Sequence, residues 1–448
     1  MQKLLKFIGS NKFLYILIAL TLLVNVALLT RYRTENIDEA WSLSFYYNYT
    51  HKGIETDTVF QSNDGQAGVL YFGKVIAVVY SAVFDVIGWN RLNVGLVGLI
   101  LVIAAAFCWY KVILKLYGDK KFALNTFLLF ILLEPFIANI NSARGEALIL
   151  LLTGASLLLL LNKQYVIGVL LAAISLETHP VGGIAGITLL TYLFTAKPKL
   201  GKWGIAQIVI ATIASAIGYL ALHSSALASL LAFLTSNSKT GWTNLFVQYF
   251  FQAQYKRHLL ELAVIILSGV IFIQKKLFKT YSFIFVLAII NLLLLALFPR
   301  PNINYVALFS LGIWLIVALV SSKDRFYYLV VPMLAAIVLG QYAYLIRQNL
   351  NHNYDNSVVQ VTKLLPNPNL PVVGSSNEWF VFKDKNFYAA TISDKIPVGT
   401  KEFYLIQEND YRTNSTFKDY VSTSCSLEKL QTETIQQELF QSYLAKCN

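Results

Sequence analysis

Two adjacent carboxylates, Asp38 and Glu39, stand shortly after a long apolar run, Phe13 to Leu29. A carboxylate placed there can take a proton from a hydroxyl as general base, and a pair of them can hold a hard divalent cation. Three further polar breaks interrupt the apolar chain. Arg144 and Glu146 lie in Asn139-Ile-Asn-Ser-Ala-Arg-Gly-Glu146, Glu177 and His179 precede Pro180, and Arg300 lies in Phe298-Pro-Arg-Pro-Asn-Ile-Asn-Tyr305. Arginines of this kind suit an anionic oxygen such as a phosphate, through charge-assisted and bidentate bonding. Each has a bland counterpart. An Asp-Glu pair in a loop is more often a solvated face, Arg144 can snorkel to an interface, and a lone His179 before proline can simply end a helix.

The elements that must position these residues are membrane helices. Of 448 residues, 56% are hydrophobic and 13% charged, against about 25% charged in a soluble domain, and mean hydropathy is +0.57. Many apolar runs reach the roughly 17–20 residues that cross a bilayer. The net charge of +12 sits mostly in short loops between those runs, which is the positive-inside pattern and not a nucleic-acid footprint. Placing Lys3, Lys6 and Lys12, then the loops with Lys115, Lys163, Lys199, Lys275 and Lys323, in the cytoplasm predicts eleven spans. They run at about 13–30, 92–110, 122–140, 145–161, 165–180, 182–196, 203–222, 259–274, 280–298, 303–321 and 326–345. The N-terminus is then cytoplasmic and the C-terminus external. All four polar breaks fall at outer helix ends, where ionisable groups face a bundle interior or a wet cavity.

The apolar stretch 67–88 does not fit as a span, because it would turn every later basic loop outward. It is expected to lie at the outer interface, with Tyr71, Tyr80 and Trp89 as aromatic anchors. The expected division is a transmembrane domain over 1–345, with outer loops at 31–91 and 223–258, and a small external α/β domain over 346–448. Within the latter, strands are expected at Val372–Ser375 and Glu402–Ile406 and a polar helix near Ser426–Lys446. Cys425 and Cys447 both fall there, where they could pair or remain free thiols.

Several short motifs, taken in order, carry a resemblance. Ile37-Asp38-Glu39-Ala40-Trp41 follows the first span. Gly68-Val69-Leu70-Tyr71, Val86-Ile87-Gly88 and Arg91-Leu92 come next, then Lys115-Leu-Tyr-Gly-Asp-Lys120. Ser142-Ala-Arg144-Gly145-Glu146, Thr178-His179-Pro180-Val-Gly182 and Arg300-Pro301 to Tyr305 complete the series. In this order the chain resembles the GT-C superfamily of membrane glycosyltransferases, most of all the branch of protein O-mannosyltransferases and lipid A aminoarabinose transferases, glycosyltransferase families 39 and 83. It departs from their pattern in lacking a double proline before Leu70. The resemblance implies an all-α polytopic membrane protein with outer juxtamembrane helices, using a polyprenyl-phosphate sugar donor on the outer face. The acceptor would be a glycan, a lipid or a protein. Asp38 would act as general base with Glu39 beside it, Arg144 and Arg300 would hold the donor phosphate, and Glu146, Glu177, His179 and Tyr305 would line the cavity. No cofactor is required by this scheme, although Asp38 and Glu39 leave room for a divalent metal. The rival reading is a transporter or flippase for a lipid-linked or polar solute. Against it, the chain shows no duplicated halves with paired broken helices.

Overall fold

The computed structural model describes residues 7–8, 10–31, 37–58, 73–137, 145–223, 249–250, 257–297, 303–324, 328–348, 350, 365, 367, 369–374, 378–384, 386–389, 400–407, 421–435 and 438–447. The protein is a polytopic all-α membrane protein with a small C-terminal domain that contains a sheet. It divides into two compact units, residues 1–27, 96–140 and 145–345 in one, and 28–95, 141–144 and 346–448 in the other.

Each expected span contains helix. They are α1 (Asn11–Arg31), α4 (Arg91–Tyr117), α5 (Lys120–Leu132) with α6 (Glu134–Ile137), α7 (Glu146–Leu161), α8 (Tyr165–Thr178), α9 (Gly183–Ala196) and α10 (Lys202–His223). Then come α11 (Arg257–Gln274), α12 (Ser282–Leu297), α13 (Ile303–Phe309), α14 (Leu311–Lys323) and α15 (Val330–Gln348). Between α1 and α4 lie α2 (Ile37–Tyr47) and α3 (Lys74–Ile87). Among the described residues, four helices are long and apolar enough to cross a membrane alone, those at Asn11–Leu29, Arg91–Tyr117, Lys202–His223 and Val330–Arg347.

Two expected continuous spans are broken, and the breaks have local causes. Pro135 has no N–H to give the Ile131 carbonyl. The chain is extended at Leu133, where ψ is 141°. Asn25 Nδ2 donates to the Ile131 carbonyl at 2.8 Å and the Tyr342 hydroxyl donates to the Leu132 carbonyl at 3.0 Å. Neighbouring helices thus satisfy the carbonyls that the break releases, as hydrocarbon requires. At the second break the Ser310 hydroxyl donates to the Val306 carbonyl, and Asn291 Oδ1 accepts from the Gly312 N–H at 2.6 Å.

Three of the basic loops meet at one end of this unit. Lys323 pairs with Asp119 at 2.8 Å, Lys275 pairs with Asp324, and the Tyr117 and Tyr281 rings are 4.7 Å apart. Asp119 also caps α5, accepting from the Phe122 N–H at 2.9 Å. Burial works to raise the Asp119 pKa, but Lys323 and the backbone amides outweigh it and hold the carboxyl below its usual range.

In the second unit, α3 runs over Lys74–Ile87, with Gly73 as its N-cap. Its 14 residues span about 21 Å, short of the roughly 30 Å hydrocarbon core. It turns Ile76, Ala77, Tyr80 and Phe84 inward, the Tyr80 ring stacking on Tyr46 of α2 at 5.6 Å. Its outward side is also apolar, with Val78, Val79, Val83 and Val86 exposed.

The C-terminal sheet has the order β2-β1-β3-β5-β4. Its strands are β1 (Val372–Gly374), β2 (Phe387–Ala389), β3 (Glu402–Gln407), β4 (Cys425–Ile435) and β5 (Glu438–Cys447), with β1 parallel to β2 and β3, and β5 antiparallel to β3 and β4. The expected polar helix at Ser426–Lys446 is instead the β4–β5 hairpin. Glu, Lys, Leu and Gln are good helix formers, but Tyr443, Ala445 and Cys447 alternate onto a core of Val373, Phe403 and Leu405, a period of two. Cys425 and Cys447 are opposite one another in the hairpin register and are joined by a disulfide.

The helix α16 (Trp379–Phe382) and the turn after it touch α2. The Tyr47 hydroxyl donates to Asp384, and the Tyr47 ring lies 6.0 Å from Trp379 and 5.2 Å from Trp89. Burial, then the Asp384 carboxylate, push the Tyr47 pKa from 10.0 to about 12. Burial acts to raise Asp384, but the Tyr47 hydroxyl and Lys383 more than offset it, so its pKa is lowered. The raised Tyr47 group contributes stability below its ordinary pKa of 10.0, which is lost as pH rises through about 12. The lowered Asp384 group contributes above the ordinary carboxylate range and is lost as pH falls through its folded value. Tryptophan emission should therefore be flat at intermediate pH and change at both extremes. Tyr47→Phe should remove the alkaline change, and an alkaline change of undiminished size in that variant would contradict the assignment.

Candidate active site

Asp38 and Glu39 open helix α2 and do not sit in a loop. A carboxylate in the first turn is favoured by the free N–H groups and dipole of a helix N-terminus. The Asp38 side chain lies outside the described residues. Glu39 is 4% exposed, and its Oε2 is 3.4 Å from Arg91 Nε, with Arg91 5% exposed. Arg91 opens α4, where a cation faces the unfavourable end of a helix. The buried carboxylate compensates it. An ion pair this far from water holds only if both partners stay, because either alone is an uncompensated buried charge. The pair therefore fastens the first turn of α2 to the first turn of α4.

The other cavity candidates belong to the first unit. Gly145 caps α7, and a Cβ there would lie 2.5 Å from Thr178 Cγ2. This close approach packs the start of α7 against the end of α8 and brings buried Glu146 beside the Glu177–His179 turn. The turn itself is tight. A Cβ at Gly182 would fall 1.7 Å from the Ser175 carbonyl oxygen, so only glycine fits, and the Ser175 hydroxyl donates to the Gly182 carbonyl at 3.1 Å. His179 Nδ1 accepts from the Val181 N–H at 3.2 Å. That leaves the ring proton on Nε2, which faces the Tyr305 hydroxyl at 3.5 Å. Glu177 Oε1 is 3.6 Å from His223 Nε2 at the end of α10, both side chains about 95% buried.

The structure thus brings Glu146, Glu177, His179 and Tyr305 together at the polar ends of α7, α8 and α13 and adds His223. Arg144 and Arg300 lie outside the described residues. Sequence reasoning used Arg91 only as a motif residue and treated His223 as a loop boundary. The one signal available for each was an ionisable group at the end of an apolar run. A second buried group also went unread. His258 lies between Glu134, at 3.6 Å, and Glu261, at 3.3 Å, while the Tyr249 hydroxyl donates to Glu261 at 2.5 Å.

Among the described residues no group of three His, Cys, Asp or Glu side chains could hold a metal ion. The Glu39 carboxylate faces a guanidinium, which repels a divalent cation brought to the same oxygen.

No protein-family model matches the sequence, and no curated protein matches it. Solved structures do. ArnT from Cupriavidus metallidurans in the apo state superposes with a TM-score of 0.58 at 12% identity, over 96% of this chain and 98% of that one. The same protein bound to undecaprenyl phosphate gives 0.58 at 14% identity, over 97% and 98%. The oligosaccharyltransferase of Archaeoglobus fulgidus, in the apo form, aligns at a TM-score of 0.46 and 12% identity over 83% of this chain and 63% of that one.

The buried pair makes a quantitative prediction. Arg91→Met alone should cost about 3–5 kcal/mol, read as a drop in thermal stability of the purified full chain. The double variant Glu39→Leu/Arg91→Met should recover most of the loss. Equal losses in the single and double variants would contradict a pairwise interaction.

The likeness to ArnT covers nearly the whole chain, and the protein shares the overall fold of the ArnT structures.

Proposed function

We propose that this protein is a membrane glycosyltransferase that moves a sugar from a polyprenyl-phosphate donor to a hydroxyl acceptor on the outer face of the membrane. The observation that carries the reading is an acidic first turn, Asp38-Glu39, directly after the first span of a GT-C fold and fastened there by Arg91. A structure of ArnT holds undecaprenyl phosphate, which supports a polyprenyl phosphate as the lipid partner here.

Transfer from a glycosyl phosphate needs a deprotonated acceptor oxygen and a stabilised leaving group. Asp38 takes the acceptor proton. Glu39, committed to Arg91, does not reach the acceptor. It is a positioning residue, and its neutralisation by Arg91 relieves Asp38 of an adjacent uncompensated like charge. The phosphate departs as a stable anion and needs cations more than an acid. Arg144 and Arg300 supply them through charge-assisted bonds. Glu146, Glu177, His179 and Tyr305 line the polar side and set the sugar's position, His179 presenting an N–H and Tyr305 a hydroxyl. A single displacement inverts the anomeric carbon. The short α3, apolar on both sides, suits the outer interface. The convergence of basic loops at one end suits a cytoplasmic placement for that end.

In a membrane transfer assay, Asp38→Asn should lower the rate by about 10²–10⁴-fold with expression intact. Arg144→Ala should impair use of the donor more than Arg144→Lys. Wild-type rates in Asp38→Asn would remove it as the base.

A further inference from the structure

A cavity of about 540 Å³ lies between α8, α9 and α10 and reaches Leu160 of α7. Its walls are mostly small or aliphatic, with Leu176, Gly183, Gly186 and Leu220 among them, and among the described residues its side-chain polar atoms come from Thr212, Ser215 and Tyr219. The Thr212 hydroxyl is spent on the Ile208 carbonyl at 2.8 Å. The outer wall, α10, is exposed along its length, at Trp203, Ile210 and Ile217 among others, so in a bilayer this wall borders hydrocarbon. An apolar void does not hold ordered water, which needs two to four polar partners. Its natural filling is a hydrocarbon chain.

Two features separate this cavity from a casual gap between helices. Ser215 Oγ is buried and makes no hydrogen bond among the described residues, a group that costs free energy until an oxygen or N–H meets it. In addition, the α10 wall carries a second polar group, Tyr219. Tyr219 lines the wall and its ring is 4.8 Å from that of His223, while Leu176 precedes Glu177 in the chain. The Glu177–His223 pair, 3.6 Å apart, lies behind Tyr219 and outside the lining. The polar side chains of the lining are hydroxyls, which offer hydrogen bonds to another hydroxyl and no positive charge to an anionic head.

We propose that this cavity binds one chain of a neutral, hydroxyl-headed membrane lipid such as a diacylglycerol, with the hydroxyl at Tyr219 and a backbone ester oxygen near Ser215. The cavity lining includes none of the residues assigned above to the donor sugar or its phosphate.

The test uses the full chain in phosphatidylcholine nanodiscs carrying a diacylglycerol with a diazirine at the end of one acyl chain, or phosphatidic acid bearing the same chain. After illumination the labelled peptides are mapped by mass spectrometry. The diacylglycerol probe should label residues within 160–193 and 208–220, above labelling of the outward sides of other helices. Unlabelled diacylglycerol should compete and unlabelled phosphatidic acid should not. A Cβ at Gly186 meets nothing within 4 Å, so Gly186→Phe fills the space, and labelling should be lost while thermal stability and elution volume are kept. Even labelling of all lipid-facing helices, equal labelling by the phosphatidic acid probe, or no competition in the wild-type chain would each overturn the proposal, whatever the variant does.

Discussion

A charge withdrawn from water must find its opposite, and that constraint shapes the part of this molecule where chemistry is expected. Glu39 and Arg91 are both nearly inaccessible to solvent, and each opens a helix. Their pairing determines where the first turn of α2 stands, and with it the backbone of Asp38. An exposed loop would leave the backbone of this turn free to adopt many positions, whereas the buried ion pair fixes the helix turn that carries both residues. That is the preorganisation the proposed role of Asp38 calls for.

The same constraint, applied to backbone groups, explains the irregular helices. Continuous helices satisfy their own carbonyls, and α5 cannot, because of Pro135. Asn25 and Tyr342 take over, so the break costs little in hydrogen bonds and fastens three segments together. At the opposite kind of junction, Gly145 and Gly182 permit backbone approaches that any side chain would block. They bring Glu146, Glu177 and His179 into one neighbourhood from separate helices. Ionisable residues in a membrane bundle are costly, and Glu146, Glu177 and His179 are gathered where helices begin or end.

The amino-acid pattern revealed the architecture at the level of hydrophobic runs, since a run of apolar residues flanked by lysines has few other solutions in a bilayer. Asp38-Glu39, Glu146, Glu177 and His179 stood out because an ionisable residue beside such a run is rare. The breaks at Leu133 and Ser310 were less visible, because one proline or serine hardly changes hydropathy averaged over a span. The β4–β5 hairpin was hidden by its composition. Glu428, Lys429 and Gln431 favour helix, and the deciding contacts, Tyr443, Ala445 and Cys447 against Phe403 and Leu405, are made with residues far away in sequence. The partners of Glu39 and Glu177 were illegible for the same reason. Arg91 and His223 are ordinary helix-end residues until the fold sets a carboxylate beside each.

The central claim is that this fold breaks the bond between a sugar and a lipid phosphate. The most direct measurement incubates the purified wild-type protein, in vesicles, with a polyprenyl-phosphate sugar and a membrane extract as acceptor, and follows the lipid product. The account predicts free polyprenyl phosphate appearing in step with sugar in the acceptor fraction. Donor that is carried across the bilayer intact, with its sugar still attached and no polyprenyl phosphate released, would contradict it.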